Sequence, residues 1–171
     1  MKKTLSIIIW SLLLIGTLTH CNPTSSAHRA SNCAVKITQG VYGRVFWISG
    51  NQMPGLGIND KKSKKDQEAT KPVKRQLLIY PLTSRDQLQM SGQLFQVPTS
   101  KPFAKTMADE DGCFQIKLPP GKYSVFTVEE DKGQQYVFAN LFDGQGNANP
   151  VEVKSSKLSE LNIKINYKAV F

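Results

Sequence analysis

Histidine, cysteine and carboxylate are the side chains with which this chain could run chemistry, and their positions narrow the choices. The two histidines, His20 and His28, lie within the first thirty residues, so residues 40–171 hold no imidazole. A Ser-His-Asp relay, a His-paired cysteine nucleophile and a histidine-ligated zinc or iron are therefore excluded there. Carboxylates remain, at Asp109, Glu110, Asp111, Glu129, Glu130, Asp131 and Asp143. Most of them fall in turn-forming stretches, whereas a glycosidase needs two at a set separation inside a cleft. Asp143-Gly144-Gln145-Gly146-Asn147 spaces oxygens in the manner of a calcium loop, yet it lacks a second acidic ligand and a closing Glu. Asx-turns in a Gly- and Asn-rich connection explain it more simply. No catalytic residue, metal or cofactor is expected. The run from Asn140 to Pro150, carrying Asn140, Asp143, Asn147 and Asn149, is the longest polar connection and the expected recognition surface.

Three cysteines remain to be placed. Residues 1–20 open with Lys2 and Lys3 and continue through the uncharged run Leu5 to Ile15, which is the n-region and h-region of a secretory signal. The run is shorter than the roughly 20 apolar residues of a membrane span. Leu18-Thr19-His20-Cys21 resembles the lipobox of bacterial lipoproteins, whose cysteine is acylated and becomes the mature N-terminus. His20 departs from that pattern, which has a small residue before the cysteine. Cleavage by ordinary signal peptidase after Ala27 or Ala30 is the alternative, and it would leave a soluble periplasmic or secreted protein. The expectation is a signal peptide over 1–20, a lipid-anchored polar tether over 21–39 and an outer-membrane lipoprotein facing the periplasm or the cell surface. Cys33 and Cys113 would then be the cysteines left in an oxidising compartment. A disulfide between them and two unpaired thiols both fit the sequence.

Charge is uneven. Of a net +9, much sits between Lys61 and Arg75, where seven basic residues face only Asp66 and Glu68. The segment has almost no apolar residues and reads as a solvated loop within an insertion over 56–75. It has no interleaved aromatic residues to stack on bases, so nucleic acid is not an expected partner. Contact with an anionic glycan or lipid headgroup is the functional alternative.

From Gly40 onward the hydrophobic pattern has period two. Strands are expected at Gly40 to Ile48, Gln76 to Tyr80, Phe103 to Ala108, Cys113 to Leu118, Tyr123 to Glu129, Tyr136 to Asn140 and Leu161 to Tyr167, with a short pairing at Val151 to Val153. Val41, Gly43, Val45 and Trp47 share one face. Phe114, Ile116 and Leu118 share another, which leaves Cys113 pointing outward. Tyr123 to Val128 is apolar on both faces and should be central. Turn chemistry bounds each strand, and the fold expected is an all-β, seven-stranded antiparallel sandwich over 40–171.

Two stretches carry a family likeness. Gly43-Arg44-Val45 followed by Gly50-Asn51-Gln52-Met53-Pro54-Gly55, and the run from Asp109 through Gly112, Phe114, Pro119-Pro120-Gly121 and Tyr123 to Val125, resemble the opening and the most distinctive element of carboxypeptidase regulatory-like domains. The resemblance implies a transthyretin-like Greek-key sandwich. Hydroxyisourate hydrolases and intradiol dioxygenases, enzymes on related sandwiches, depend on histidines that this chain lacks. The function expected is that of a non-enzymatic binding or structural module of the envelope, with an envelope protein or glycan as partner. An accessory or ligand-presenting subunit of an outer-membrane transport or secretion system is the alternative.

Overall fold

A computed structural model describes residues 33–53 and 70–171. Cys21 and most of the Lys-rich insertion lie outside them. The described residues form β1 (Gly40–Asn51), β2 (Thr70–Pro72), β3 (Gln76–Pro81), β4 (Met90–Ser91), β5 (Leu94–Gln96), β6 (Ala104–Met107), β7 (Cys113–Ile116), β8 (Gly121–Asp131), β9 (Gln134–Phe138), β10 (Pro150–Val153), β11 (Leu158–Glu160) and β12 (Ile163–Val170). The described residues are all-β, in two sheets in which antiparallel pairs predominate.

The first sheet is organised around β1. At 12 residues it outruns its partners and pairs with two strands on each side. Its first half takes β7 antiparallel and β11 parallel, and its second half takes β2 antiparallel and β12 parallel. The parallel pairs correct the expectation of an antiparallel sandwich. Period-two burial is the same in both ladder types, so alternation alone does not distinguish them. The count of seven also falls short, because β2, β4, β5 and β11 have only two or three residues each.

Gly43 marks where β1 changes partner. A Cβ built there would stand 1.8 Å from the carbonyl oxygen of Leu161, which lies between β11 and β12. The same close passage is held by Leu161 N–H donating to Tyr42 O at 2.9 Å and Arg44 N–H donating to Asn162 Oδ1 at 2.9 Å. Only glycine leaves the room.

The second sheet runs β4-β5-β9-β8-β3-β6, with β10 beside the first part of β8. β8 is central, as its two apolar faces require. One face carries Tyr123 and Val125 into the main core with Val41, Val45, Phe114, Leu118, Ile163 and Ile165. The other carries Phe126 into a second cluster with Leu78, Tyr80, Leu88, Phe95, Val137 and Ala148. The β4–β5 hairpin and the connection after β9 supply the cover.

The turn Asp109 to Gly112 leads into β7. Gly112 takes φ +73°, while Asp109 Oδ1 accepts from the N–H groups of Asp111 and Cys113 at 3.0 and 2.8 Å. Cys113 faces outward from β7, and there it is bonded to Cys33, with Cα atoms 5.6 Å apart. The approach segment is tied to the sheet beyond that bond. Lys36 N–H donates to Gln115 Oε1 at 2.8 Å, and Gln39 Nε2 donates to Leu118 O at 2.9 Å. Cys33, Lys36 and Gln39, within the tether expected over 21–39, are therefore bonded to the sheet. Thr70, Lys71 and Pro72, within the insertion expected over 56–75, pair with Ile48, Trp47 and Phe46.

Candidate functional site

The side chains of the expected recognition loop, Asn140, Asp143, Asn147 and Asn149, hydrogen-bond within the fold. Asn149 is fully buried and takes φ +40°. Its Oδ1 accepts from the N–H groups of Asn140 and Leu141 at 3.3 and 3.0 Å, and its Nδ2 donates to Val125 O at 2.9 Å. Asn140 Nδ2 donates to Lys164 O at 2.8 Å. Asp143 accepts from the N–H groups of Gln145 and Asn147 and from Asn147 Nδ2, at 2.8 to 2.9 Å. Those donors, Asn147 first, hold its carboxyl below the ordinary range. Asn149 thus ties the connection to β8 and Asn140 ties it to β12, while Asp143 and Asn147 brace the loop internally. Asp143 also borders a small depression of about 260 Å³ with Lys122 and Glu152, but its oxygens are already occupied by N–H donors.

A larger groove, about 540 Å³, opens beside the second half of β1, where Trp47, Arg75, Gln76, Glu129, Glu130, Gln135, Tyr167 and Lys168 come together. Its floor is Glu129. Along β8 the core face runs Tyr123, Val125, Thr127, Glu129, so the strand carries a carboxylate inward at its far end, where the side chain is only 1% exposed. Arg75, on the approach to β3, sets Nε 3.3 and 3.4 Å from the two carboxylate oxygens. Tyr167 OH donates to Oε2 at 3.4 Å. Arg75 also lies over the Trp47 ring at 5.7 Å from its centre, and Trp47 meets Tyr167 edge to face at 5.3 Å.

Electrostatics follow from this placement. Burial raises the Glu129 carboxyl above the ordinary carboxylate range, with Arg75 pulling the other way. Burial, and then the neighbouring Glu129 charge, push the Tyr167 phenol up to about 12. Arg75 Nη1 donates to Lys74 O at 2.9 Å, and Nη2 has no protein partner among the described residues. The guanidinium is therefore held on one edge by Glu129 and keeps donors on the other, with the side chain about a third exposed.

A β-bulge completes the groove. Trp47 pairs with Ile165 and Ser49 with Lys168, so β12 has one residue more than β1 over this stretch. The extra residue breaks the alternation, and two consecutive side chains, Tyr167 and Lys168, both line the groove. Of these residues only Glu129 and Glu130 stood out in the sequence by their chemistry. Glu129 shares the parity of Tyr123, Val125 and Thr127, a signal from which its inward direction could have been read. The remaining carboxylates do not line the groove, although Asp131 is near enough to act on Tyr167. Asp109 holds its turn, and Glu110 makes an exposed ion pair with Lys74 at 3.0 Å. Among the described residues no cluster of three or more His, Cys, Asp or Glu could hold a metal ion. No family model, curated protein or solved structure matches the chain.

Proposed function

We propose that this chain is a non-enzymatic binding module of a bacterial envelope, anchored through an acylated Cys21, with the Trp47–Arg75–Glu129–Tyr167 groove as its binding surface. The observation that carries the reading is the buried Arg75–Glu129 pair. A buried ion pair is weak evidence for stability, because an apolar pair of similar volume is often as stable or more so. Perturbed titratable groups gathered in a concave, aromatic-lined site are the physical signature of a binding or catalytic surface. Catalysis is disfavoured because the carboxylate is sealed beneath its partners and no imidazole lies in residues 33–171.

The scaffold reading is a transthyretin-like Greek key of the carboxypeptidase regulatory-like kind. It is supported by the work its motif residues do: Gly43 admits the Leu161 carbonyl, Gly112 closes the turn into β7, and Tyr123 OH donates to Pro119 O at 3.0 Å. The Lys-rich segment and the lipobox-like ending support an envelope location. Fatty-acid labelling should disappear in Cys21→Ala. A photo-crosslinking residue at position 135, beside the groove, should capture an envelope component that one at position 154, beyond the opposite end of β1, does not. Equal capture from both positions, or none from either, would remove the assignment of the groove.

A further inference from the structure

The geometry points to a neutral saccharide as the ligand of the groove, an inference that rests on the binding-module reading above. Charge decides against an ionic ligand. Arg75 and Lys168 supply two positive groups and Glu129 and Glu130 two negative ones, so the lining has no net charge with which to select an anion or a cation. What it offers is hydrogen bonding at several angles from planar groups. The Gln76 and Gln135 amides each present donors and an acceptor, the Glu130 carboxylate presents acceptors only, and the Arg75 edge away from Glu129 presents donors only. Ligands that donate and accept from every carbon are polyhydroxylated rings.

Two aromatic side chains sit in the same lining. Trp47 and Tyr167 are half-buried and fixed edge to face against each other, with Arg75 over the Trp47 ring and Lys168 over the Tyr167 ring, so the apolar surface they keep beside these cations is offered at little entropic cost to the C–H groups of a sugar. The volume, about 540 Å³, lies within the range of small-molecule sites, roughly 300–1,000 Å³, and is open along one side as a chain of sugars needs. Glu129 is a positioning residue here. It touches no ligand, being sealed, but its carboxylate fixes Nε of Arg75 and thereby aims the remaining donors.

The two tryptophans of the chain are Trp10 and Trp47. Trp10 leaves with the leader, so in the protein processed at Cys21, verified by mass, intrinsic fluorescence reports the groove alone. Detergent-solubilised processed protein is titrated with maltotetraose, cellotetraose, mannotetraose and tetra-N-acetylchitotetraose at millimolar concentration. At least one should give a saturable change. Gln135→Ala should weaken that binding about tenfold, and Glu129→Gln by a similar factor, while the unfolding midpoint of Gln135→Ala stays at the wild-type value. Failure of all four sugars, together with a response to a solubilised envelope protein fraction, would overturn the saccharide and leave the binding module standing. Failure of sugars and envelope fraction alike would overturn both. A saturable sugar response unchanged in Gln135→Ala and Glu129→Gln would also overturn the inference, since the sugar would then bind elsewhere.

Discussion

Asn149→Ala should be among the most destabilising single changes at a polar position. The side chain meets three backbone groups, Asn140 N–H, Leu141 N–H and Val125 C=O, at 3.3, 3.0 and 2.9 Å. Leaving a buried polar group unpaired costs about 1–3 kcal/mol. The two N–H groups belong to partly exposed residues and can recruit water, which puts them at the low end. Val125 is 1% exposed, so its carbonyl carries more of the cost, and about 3 kcal/mol in all is expected. Asn149 also sits at φ +40°, where asparagine is tolerated and alanine costs about 1 kcal/mol more. Alanine should therefore lose about 4 kcal/mol. Glycine, which accepts the backbone but makes none of the bonds, should lose about 3 kcal/mol. Urea unfolding of the wild type and both variants, compared at a common slope, separates the two effects. A loss under about 1 kcal/mol for alanine, or full recovery by glycine, would show that the three hydrogen bonds do not hold the connection.

Gly43→Ala should abolish cooperative unfolding or lower the midpoint severely, because the new methyl meets the Leu161 backbone at 1.8 Å; a wild-type melting curve would contradict that packing. Replacing Cys33 and Cys113 together by serine should cost up to about 4 kcal/mol in the chain-entropy model, given a sequence separation of 80. The midpoint should drop by up to roughly 15 °C, reductant should destabilise the wild type alone, and identical midpoints would refute the tie. Burial raises Glu129 above its ordinary value of 4.5, so the folded state holds that proton more tightly than the unfolded chain. Its contribution is then present in acid and is lost as pH rises from about 4.5 through the raised value. Relative to Glu129→Gln, the wild type should lose stability across that window, and a relative gain would contradict the burial argument.

Much of the fold was legible because long strands leave long records. β1, β8 and β12 run for 12, 11 and 8 residues, enough to assign faces where β1 and β12 alternate and, for β8 with two apolar faces, a central position. Strands of two or three residues such as β4 and β11 leave no period to detect, and their pairing is imposed by the longer strand beside them. The parallel partnership of β1 with β12 was invisible for a different reason, since it depends on how the chain ends meet in space. At the groove, the inward parity of Glu129 could be read from β8, but not its partners. Arg75 arrives from a segment whose composition resembles a solvated loop, and Lys168 enters only because a bulge breaks the alternation of β12. In the loop from Asn140 to Pro150 the polar composition was legible, but not that Asn149 is buried and bonded to three backbone groups.

Replacing the buried pair as a unit separates a functional role from a structural one most directly. Arg75→Met with Glu129→Leu removes both charges while keeping similar volume, and such exchanges are commonly neutral or stabilising. The double variant and the wild type, both processed at Cys21, are compared by urea unfolding and by the Trp47 fluorescence response to a solubilised envelope fraction. If the groove is the binding surface, the unfolding midpoint stays the same or rises while the fluorescence response disappears. A response that persists in the double variant, with the fold intact, would contradict it.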